Sequence, residues 1–412
     1  MPPVKPMDSR RKFLGTVATG LAGTFVSVPS ASANSRVRIG IIGAGDRGLE
    51  LCNQIRACAN AEVAGFADIY TKRLERAGGV VPTTKVVADY RELLDDKNLD
   101  AVVIATPPHL HAQQFCDALA AGKHVYVEKT LALTVEDAKR MRAAYQQTRH
   151  AVQVGHQACS SGHASDVARF LAQPDEVGRL SALAMRHFRN TPVNKPQWSR
   201  PALLTPDLNA NNVAWKHFSP DTPETDFDGQ RFVHWRYFWE YSSGAISENM
   251  SQQLAFWYRA LDLQIPASAS MNGGVFVWPD GRETPDTMDV ALVQTTGVQS
   301  EGLLVSWSSG FGNNQLGVGE HLLGRNGTIS RDNQVRYFPQ KMTRPQSPEI
   351  LGRASQVPEA HMQNFLDAIR FGSEPNANFD LGYRVTIACI MAAESYRQKR
   401  TVHWDPNREV IT

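Results

Sequence analysis

A glycine-rich turn near residue 43 constrains this chain more than any other feature. The apolar run Val37–Ile42 leads directly into Gly43-Ala-Gly45-Asp-Arg-Gly48, and a stretch with helical periodicity follows. In such a strand–turn–helix unit, the first glycine permits the turn and the second lets backbone amides approach a phosphate. The third lets the helix pack closely on the strand. The helix N-terminus then faces an anion, and Asp46 and Arg47 join the three glycines as candidate cofactor-binding residues.

A carboxylate follows the second apolar strand at the distance that a dinucleotide site requires. The run Glu62-Val-Ala-Gly-Phe-Ala ends at Asp68, twenty residues beyond Gly48. An acidic residue there accepts hydrogen bonds from the adenosine ribose hydroxyls. Lys72 and Arg73 follow closely and could bind a 2′-phosphate instead. The spacing therefore predicts NAD as the cofactor and leaves NADP open.

The alternation of apolar runs and amphipathic stretches from residue 34 to 157 predicts an α/β Rossmann domain with a parallel sheet. The third predicted strand ends in Thr106-Pro107-Pro-His-Leu-His111, and the fourth ends in Glu128-Lys129-Thr130. Both lie at carboxyl ends of strands, where an open parallel sheet has its ligand crevice. The five predicted strands are Val37–Ile42, Val63–Ala67, Ala101–Ala105, His124–Val127 and Ala151–Gly155.

Residues 158–412 predict a second, α+β domain with a large, mainly antiparallel sheet. The stretch Ala267–Ile329 alternates apolar and polar residues, and His361–Arg370 and Leu381–Gln398 have helical periodicity. The segment Met185–Trp239 is too long and polar for a simple connector, so we expect it to cover the active-site side. Its tryptophans either stack on a sugar or anchor the loop.

These motifs together resemble the Gfo/Idh/MocA family, named after glucose-fructose oxidoreductase and inositol dehydrogenase. The resemblance rests on Gly43-x-Gly45-x-x-Gly48, Asp68, Thr106-Pro107-x-x-x-His111 and Gly122-Lys-His-Val-Tyr-Val-Glu128-Lys129. It implies a carbohydrate substrate, with Thr106, Pro107, His111 and Glu128 in the cofactor site and Lys129 beside the nicotinamide. Thr130 stands where the family has a proline. The resemblance also implies that the last helices pack back on the Rossmann domain and that copies associate through the C-terminal sheet.

The second family signature, Asp-x-Gly-x-His on a helix, is altered in this chain. Glu248, Met250 and Gln252 occupy its three positions. Glutamine has no proton to exchange near neutral pH, so the usual histidine acid/base is absent. Lys129 is the preferred proton acceptor, and lone histidines such as His163 and His187 are interpreted as structural. The alternatives that remain open are Glu248, His156, Tyr241 and His234.

The N-terminus predicts export. Ser9-Arg-Arg-Lys-Phe-Leu14 precedes a weakly apolar run and Ala31-Ser-Ala33, which is typical of a twin-arginine signal with a cleavage site. Removal of residues 1–33 takes away four of 43 basic and one of 41 acidic side chains, so the formal charge changes from +2 to −1. No nucleic-acid-binding surface is expected at that charge. From the predicted signal we expect a periplasmic or secreted protein.

The five cysteines form neither a CxxC pair nor a metal-binding spacing, so no metal site is predicted. The sequence favours an NAD(P)-dependent oxidoreductase acting on a secondary alcohol of a sugar, cyclitol or glycoside. Because free dinucleotides are cytoplasmic metabolites, an exported enzyme is expected to hold its cofactor tightly. Two alternatives remain. One is a glycoside-cleaving, lyase or epimerase enzyme with a closed NAD redox cycle, and the other is a sugar-binding relative without catalysis.

Overall fold

The computed structural model describes residues 36–412 except 83, 174–175, 193, 220–225, 295–301, 333, 341–347 and 354–358. The predicted export signal in residues 1–33 lies outside the described residues. Two β-sheets organise the part of the chain that is described.

The first sheet has six parallel strands in the order β3-β2-β1-β4-β5-β6. Its strands are β1 (Val37–Ile42), β2 (Ala61–Ala67), β3 (Lys85–Val87), β4 (Ala101–Ile104), β5 (His124–Val127) and β6 (Val152–Val154). The central strands are apolar and almost fully buried because helices cover both faces of such a sheet. The strand order reverses direction between β1 and β4, and a crevice for a ligand opens at that point. The α/β prediction is confirmed.

Five helices connect these strands: α1 (Asp46–Ala57), α2 (Thr71–Val80), α3 (Arg91–Leu94), α4 (Pro108–Ala120) and α5 (Val135–Gln146). The five predicted strands agree with the structure to within two residues at each end. Strand β3 was not predicted from the sequence, because two of the three residues of this short edge strand are exposed and form no apolar run.

The second sheet has ten strands in the order β14-β13-β12-β11-β7-β10-β9-β8-β15-β16. Only the central pair β7 and β10 is parallel, and the other neighbours are antiparallel, which confirms the predicted large, mainly antiparallel sheet. Its strands are β7 (Leu180–Phe188), β8 (Ser268–Gly274), β9 (Thr287–Gln294), β10 (Leu303–Gly310), β11 (Val318–Gly324), β12 (Gly327–Arg331), β13 (Gln334–Pro339), β14 (Glu349–Arg353), β15 (Val402–Asp405) and β16 (Val410–Ile411).

The helices of this half are α6 (His163–Leu171), α7 (Trp215–Phe218), α8 (Gly229–Val233), α9 (Ser251–Leu261), α10 (Glu359–Phe371) and α11 (Phe379–Gln398). Helix α9 is fixed to the sheet by buried polar contacts as well as by apolar packing. Trp257 donates to Glu320 at 2.7 Å, and Trp307 donates to Gln253 at the same distance. Since both indole groups find acceptors, the buried polar atoms do not weaken this core.

The last two helices lie against the first domain. The Thr386 hydroxyl in α11 accepts a hydrogen bond from the Leu131 amide at 3.1 Å, and Phe379 stacks on Tyr145 with ring centroids 4.6 Å apart. In α10, His361 contacts the Val154 carbonyl at 3.0 Å and is fully enclosed. His361 is therefore a packing residue.

Two further properties follow from the described ranges. None of their helices combines the length and the apolar composition that crossing a membrane requires. No disulfide joins the five cysteines, all of which lie in described segments, and four of them are buried.

Candidate dinucleotide-binding and active site

A cavity of about 520 Å³ lies at the carboxyl edge of the parallel sheet, between the two domains. Seven residues that the sequence predicts for the cofactor site line it: Gly43, Gly45, Asp46, Arg47, Asp68, Thr106 and Pro107. The opposite wall comes from residues of the second domain within the ranges 200–218 and 232–236. The remaining predicted residues, Gly48, His111, Glu128 and Lys129, are not among the lining residues.

The three glycines have different structural roles. Gly43 has φ +96°, and a Cβ there would lie 2.9 Å from the Ala105 carbonyl carbon. A Cβ on Gly48 would overlap the carbonyl oxygen of Gly43, so only glycine allows α1 to start against the turn. A Cβ on Gly45 would meet no heavy atom within 4 Å and would occupy the cavity itself. The backbone at Gly45 thus fits a bound pyrophosphate.

Asp68 fixes the glycine turn and faces the cavity. Its Oδ2 accepts a hydrogen bond from the Ala44 amide at 2.8 Å, and its Oδ1 accepts one from the Tyr70 amide at 2.9 Å. Each carboxylate oxygen can accept a second hydrogen bond, which leaves room for ribose hydroxyls. Arg73 approaches Asp68 to 3.8 Å, whereas Lys72 is paired with Asp207.

Two arginines missed by the sequence analysis stand at the N-terminus of α1. Arg76 pairs with Oδ1 of Asp46 at 3.1 Å, and Arg200 pairs with Oδ2. Burial raises the pKa of Asp46, but Arg200 and Arg76 more than offset it, and the pKa is lowered overall. Two guanidinium groups for one carboxylate, at a helix N-terminus, favour an anionic ligand there. No pattern of spacing in the sequence connects these three residues.

Glu128 and His111, which are predicted as cofactor contacts, hold neighbouring loops and are not among the residues that line the cavity. Glu128 is buried; its Oε1 accepts a hydrogen bond of 2.8 Å from Arg47 Nε, and a terminal nitrogen of the same guanidinium lies 2.8 Å from that oxygen in an ion pair. His111 is fully buried, with one ring nitrogen 2.8 Å from the Thr130 carbonyl and the other 2.8 Å from the Thr106 carbonyl. His111 thus connects the loop after β4 to the loop after β5 through hydrogen bonds.

Lys129 belongs to a three-residue ion cluster at the edge of the cavity. Its Nζ lies 3.0 Å from Oε2 of Glu248, and Nε of Arg236 lies 3.3 Å from the same oxygen. Burial raises the pKa of Glu248, but the charges of Arg236 and Lys129 outweigh burial and hold it at about 2. Arg236 lines the cavity, so it connects Lys129 to the dinucleotide groove. The peptide bond between Lys129 and Thr130 is cis.

The other two predicted catalytic residues have supporting positions. Gln252 donates to the Gly155 carbonyl at 3.3 Å and to Gln157 at 3.2 Å. His156 is fully buried, and burial together with the charge of Lys129 lowers its pKa to about 3. A histidine so weakly basic and so enclosed is a less favourable proton acceptor than an accessible group, so burial weighs against His156 as an acid/base.

The remaining candidates are held in structural contacts. His234 accepts a hydrogen bond from the Arg200 amide at 2.9 Å, and Tyr241 is buried 3.4 Å from Arg231. His187 contacts Asn249 at 3.0 Å, in agreement with its structural interpretation. Of the groups considered, Lys129 and Glu248 are the two that belong to the ion cluster beside the cavity.

The stability that Glu248 contributes should depend on pH. Its pKa is near 2 in the folded protein and 4.5 in the reference state, so the unfolded chain binds the extra proton. Its contribution, up to about 3 kcal/mol, is present above pH 4.5 and is lost as pH falls toward 2. We expect the difference in unfolding free energy between wild type and Glu248→Gln to shrink over that interval in urea titrations. Glu394→Gln, which alters an exposed pair with Arg397, should stay parallel to wild type.

One segment of the second domain, residues 199–219, covers the cavity, and we call it the strap. Val213 forms a β-bridge with Tyr70, and the Ala214 amide donates to the Ile69 carbonyl at 3.0 Å. Trp215 is buried and stacks on Phe218 with centroids 5.1 Å apart. This confirms that the long polar segment covers the site, although its first residues, up to Phe188, belong to β7. Trp215 anchors the strap and offers no face to a sugar.

The comparison with protein families identifies the first domain. Residues 37–156 match the family model GFO_IDH_MocA, described as "Oxidoreductase family, NAD-binding Rossmann fold". The matched range begins at β1 and ends just after β6. It therefore contains the parallel sheet and one wall of the cavity.

Curated relatives match over part of their length. The uncharacterized oxidoreductase YrbE of Bacillus subtilis is 27% identical over 155 residues, which are 38% of this chain and 45% of YrbE. The α-N-acetylgalactosaminidase of Shewanella oneidensis is 36% identical over 110 residues, 24% of each chain. This chain thus spans less than half the length of the curated relatives it matches.

A solved structure shares the whole architecture. The WlbA dehydrogenase of Bordetella pertussis, solved with NADH and UDP-GlcNAcA, covers 90% of this chain and 99% of its own. The TM-score is 0.68 and the identity is 19%, so the likeness establishes the two-domain fold and nothing finer. With the family match, it leads to one conclusion: residues 37–156 form a Rossmann domain that is similar to the NAD-binding domain of the Gfo/Idh/MocA oxidoreductase family.

Proposed function

We propose that this protein is an NAD-dependent oxidoreductase that acts on a secondary alcohol of a sugar, cyclitol or glycoside and retains its cofactor. The observation that carries the proposal is the cavity, in which the glycine turn, Asp68 and the loop after β4 face one another under the strap. Lys129 lies at the edge of the cavity, where its amine forms an ion pair with Glu248. The WlbA dehydrogenase, solved with NADH and a sugar nucleotide, supports the substrate class.

The residues have separate tasks in this reaction. Bound NAD supplies the hydride acceptor. The glycine turn and the N-terminus of α1 bind its pyrophosphate, and Asp68 binds a ribose. Lys129 is an ammonium while it is paired with Glu248, so its Nζ first releases a proton to solvent and then takes the proton of the reacting hydroxyl. Glu248 and Arg236 orient Lys129 and stay charged.

The first test is to purify the mature protein from an export-competent host, denature it and identify any released dinucleotide by mass spectrometry. Stoichiometric NAD supports the proposal. The same preparation is then mixed with sugars and glycosides, and the nicotinamide absorbance is followed. An empty protein that neither binds added NAD nor responds to any sugar would overturn the proposal.

The strap should control how fast NAD leaves. Ala214 has φ −73°, which suits proline, so Ala214→Pro keeps the backbone but removes the hydrogen bond to Ile69. We expect release of NAD to become about tenfold faster, the worth of one good hydrogen bond. Ala214→Gly keeps the amide and serves as the control. Equal release rates for the two variants, measured by filtration and mass spectrometry, would contradict a strap that retains NAD.

A second candidate is glycoside cleavage through a closed NAD cycle, in which the substrate is oxidised and later reduced again at the same site. The α-N-acetylgalactosaminidase of Shewanella oneidensis is 36% identical over the matched residues, and a retained cofactor suits such a cycle. Product formation without net change in nicotinamide absorbance would favour this candidate over a dehydrogenase.

We also propose that the protein is exported by the twin-arginine route, on the strength of Arg10 and Arg11 and the residues that follow them. Cell fractionation tests this. Replacement of both arginines by lysine should move the protein from the periplasm to the cytoplasm.

Copies of the chain are proposed to associate through the outer face of the ten-stranded sheet. The centre of this face carries small side chains at Ala184, Ala291 and Ser306. Beside them, Val293 is 41% exposed and Leu304 is 48% exposed. Such a flat apolar face suits a symmetric contact. Leu304→Asp should convert an oligomer into monomers in light scattering. Phe371→Asp, at the exposed end of α10, should not. A wild-type monomer would refute the proposal.

A further inference from the structure

Arg236 has hydrogen-bonding capacity that the described residues do not use. Its Nε lies 3.3 Å from Oε2 of Glu248 in an ion pair but makes no hydrogen bond there, and neither terminal nitrogen donates a hydrogen bond to any residue in the described ranges. The guanidinium lies 4.0 Å above the Trp235 ring, and both residues line the cavity. Stacking on an indole restricts the plane of the guanidinium, so its two terminal nitrogens form a fork of donors on a residue that lines the cavity.

The charges around the cavity are unevenly balanced. Arg47 has two carboxylate partners, Glu128 and Glu50, and Lys72 and Arg73 have one each. Positive charge is in excess at only two places among the described cavity residues. Two arginines share Asp46 at the N-terminus of α1, and Lys129 and Arg236 share Glu248.

The proposed cofactor accounts for the first excess but not for the second. The pyrophosphate lies at the N-terminus of α1, directly after β1. Lys129 follows β5, which is two strands away in the sheet, a distance of roughly 10 Å. Because β4 and β5 belong to the half of the sheet beyond the switch point, the second excess lies on the nicotinamide side. There it faces the reacting substrate, and not the phosphates.

We propose that the substrate is a sugar acid, whose carboxylate binds the free fork of Arg236 beside Lys129. This inference rests on the proposed function, because it places the substrate next to the nicotinamide. A planar guanidinium with two parallel donors matches a carboxylate better than it matches a hydroxyl. Glu248 neutralises one of the two cations and leaves the other for the substrate. A neutral sugar would leave that charge without a partner.

Binding of matched pairs tests the inference. Isothermal titration calorimetry on the NAD-loaded protein compares D-glucuronate with D-glucose, D-galacturonate with D-galactose, and the methyl glycosides of each. At least one acid should bind about tenfold more tightly than its neutral partner. In Arg236→Gln this ratio should fall to about one. Arg231→Gln is the matched control, because Arg231 also stacks on an aromatic ring, Phe238, but does not line the cavity. It should keep the wild-type ratio.

The outcomes are separable. If no acid outbinds its partner in wild type, or if the preference persists in Arg236→Gln with an unchanged melting temperature, the inference is overturned. Reduction of the bound NAD is recorded in the same samples. Neutral sugars that reduce NAD without any preference for acids refute the carboxylate site alone. Acids that bind through Arg236 while no sugar changes the nicotinamide absorbance refute the proposed function alone.

Discussion

Lys129→Ala should abolish turnover while the protein keeps both its fold and its NAD. The alanine variant removes the only amine in the ion cluster, and Arg236 remains to pair with Glu248. Loss of a positioned general base costs on the order of a thousandfold in rate. We expect that decrease in kcat with sugar as substrate, together with a wild-type amount of released NAD by mass spectrometry.

Two companion variants make this result interpretable. Lys129→Arg keeps a positive charge next to Glu248, but an arginine does not give up its proton, so it should not restore activity. Lys97→Ala removes an exposed lysine in a turn far from the ion cluster and should behave as wild type. Activity of Lys129→Ala within twofold of wild type would show that another group takes the proton.

The cofactor-binding residues could be predicted from the sequence because each is marked by its immediate neighbours in the chain. Gly43, Gly45 and Asp68 follow apolar strands directly, and parallel strands bring their carboxyl ends to one edge of a sheet. The same logic placed Thr106 and Lys129 after β4 and β5. Where the residues of a site directly follow consecutive parallel strands, their spacing in the sequence is sufficient to predict the site.

The rest of the site depends on contacts between residues far apart in the chain. Arg200 meets Asp46 across the cavity, and Arg236 meets Lys129 through Glu248. Nothing in the local sequence distinguishes these arginines from ordinary surface residues. His156 illustrates a related point, because its position at a strand end could be predicted from the sequence but its complete burial could not.

The glycine turn offers the sharpest separation between folding and binding. Gly48→Ala should strongly destabilise the protein, because its Cβ would overlap the backbone oxygen of Gly43 and neither backbone can move without displacing β1 or α1. Overpacking of this kind in a core lowers the free energy of unfolding by about 1–3 kcal/mol or more. We expect a melting temperature lower by several degrees or a failure to accumulate soluble protein.

Gly45→Ala, three residues earlier, should do the opposite. Its Cβ would meet no protein atom within 4 Å, so the melting temperature of the NAD-free protein should match that of NAD-free wild type. The added methyl group would occupy the part of the cavity where backbone amides approach the pyrophosphate, and NAD should be absent from the purified variant. Calorimetry of the apo proteins and mass spectrometry of released dinucleotide check the two halves. If Gly45→Ala retained stoichiometric NAD, the pyrophosphate would bind elsewhere, and the charge argument for Arg236 would lose its reference point.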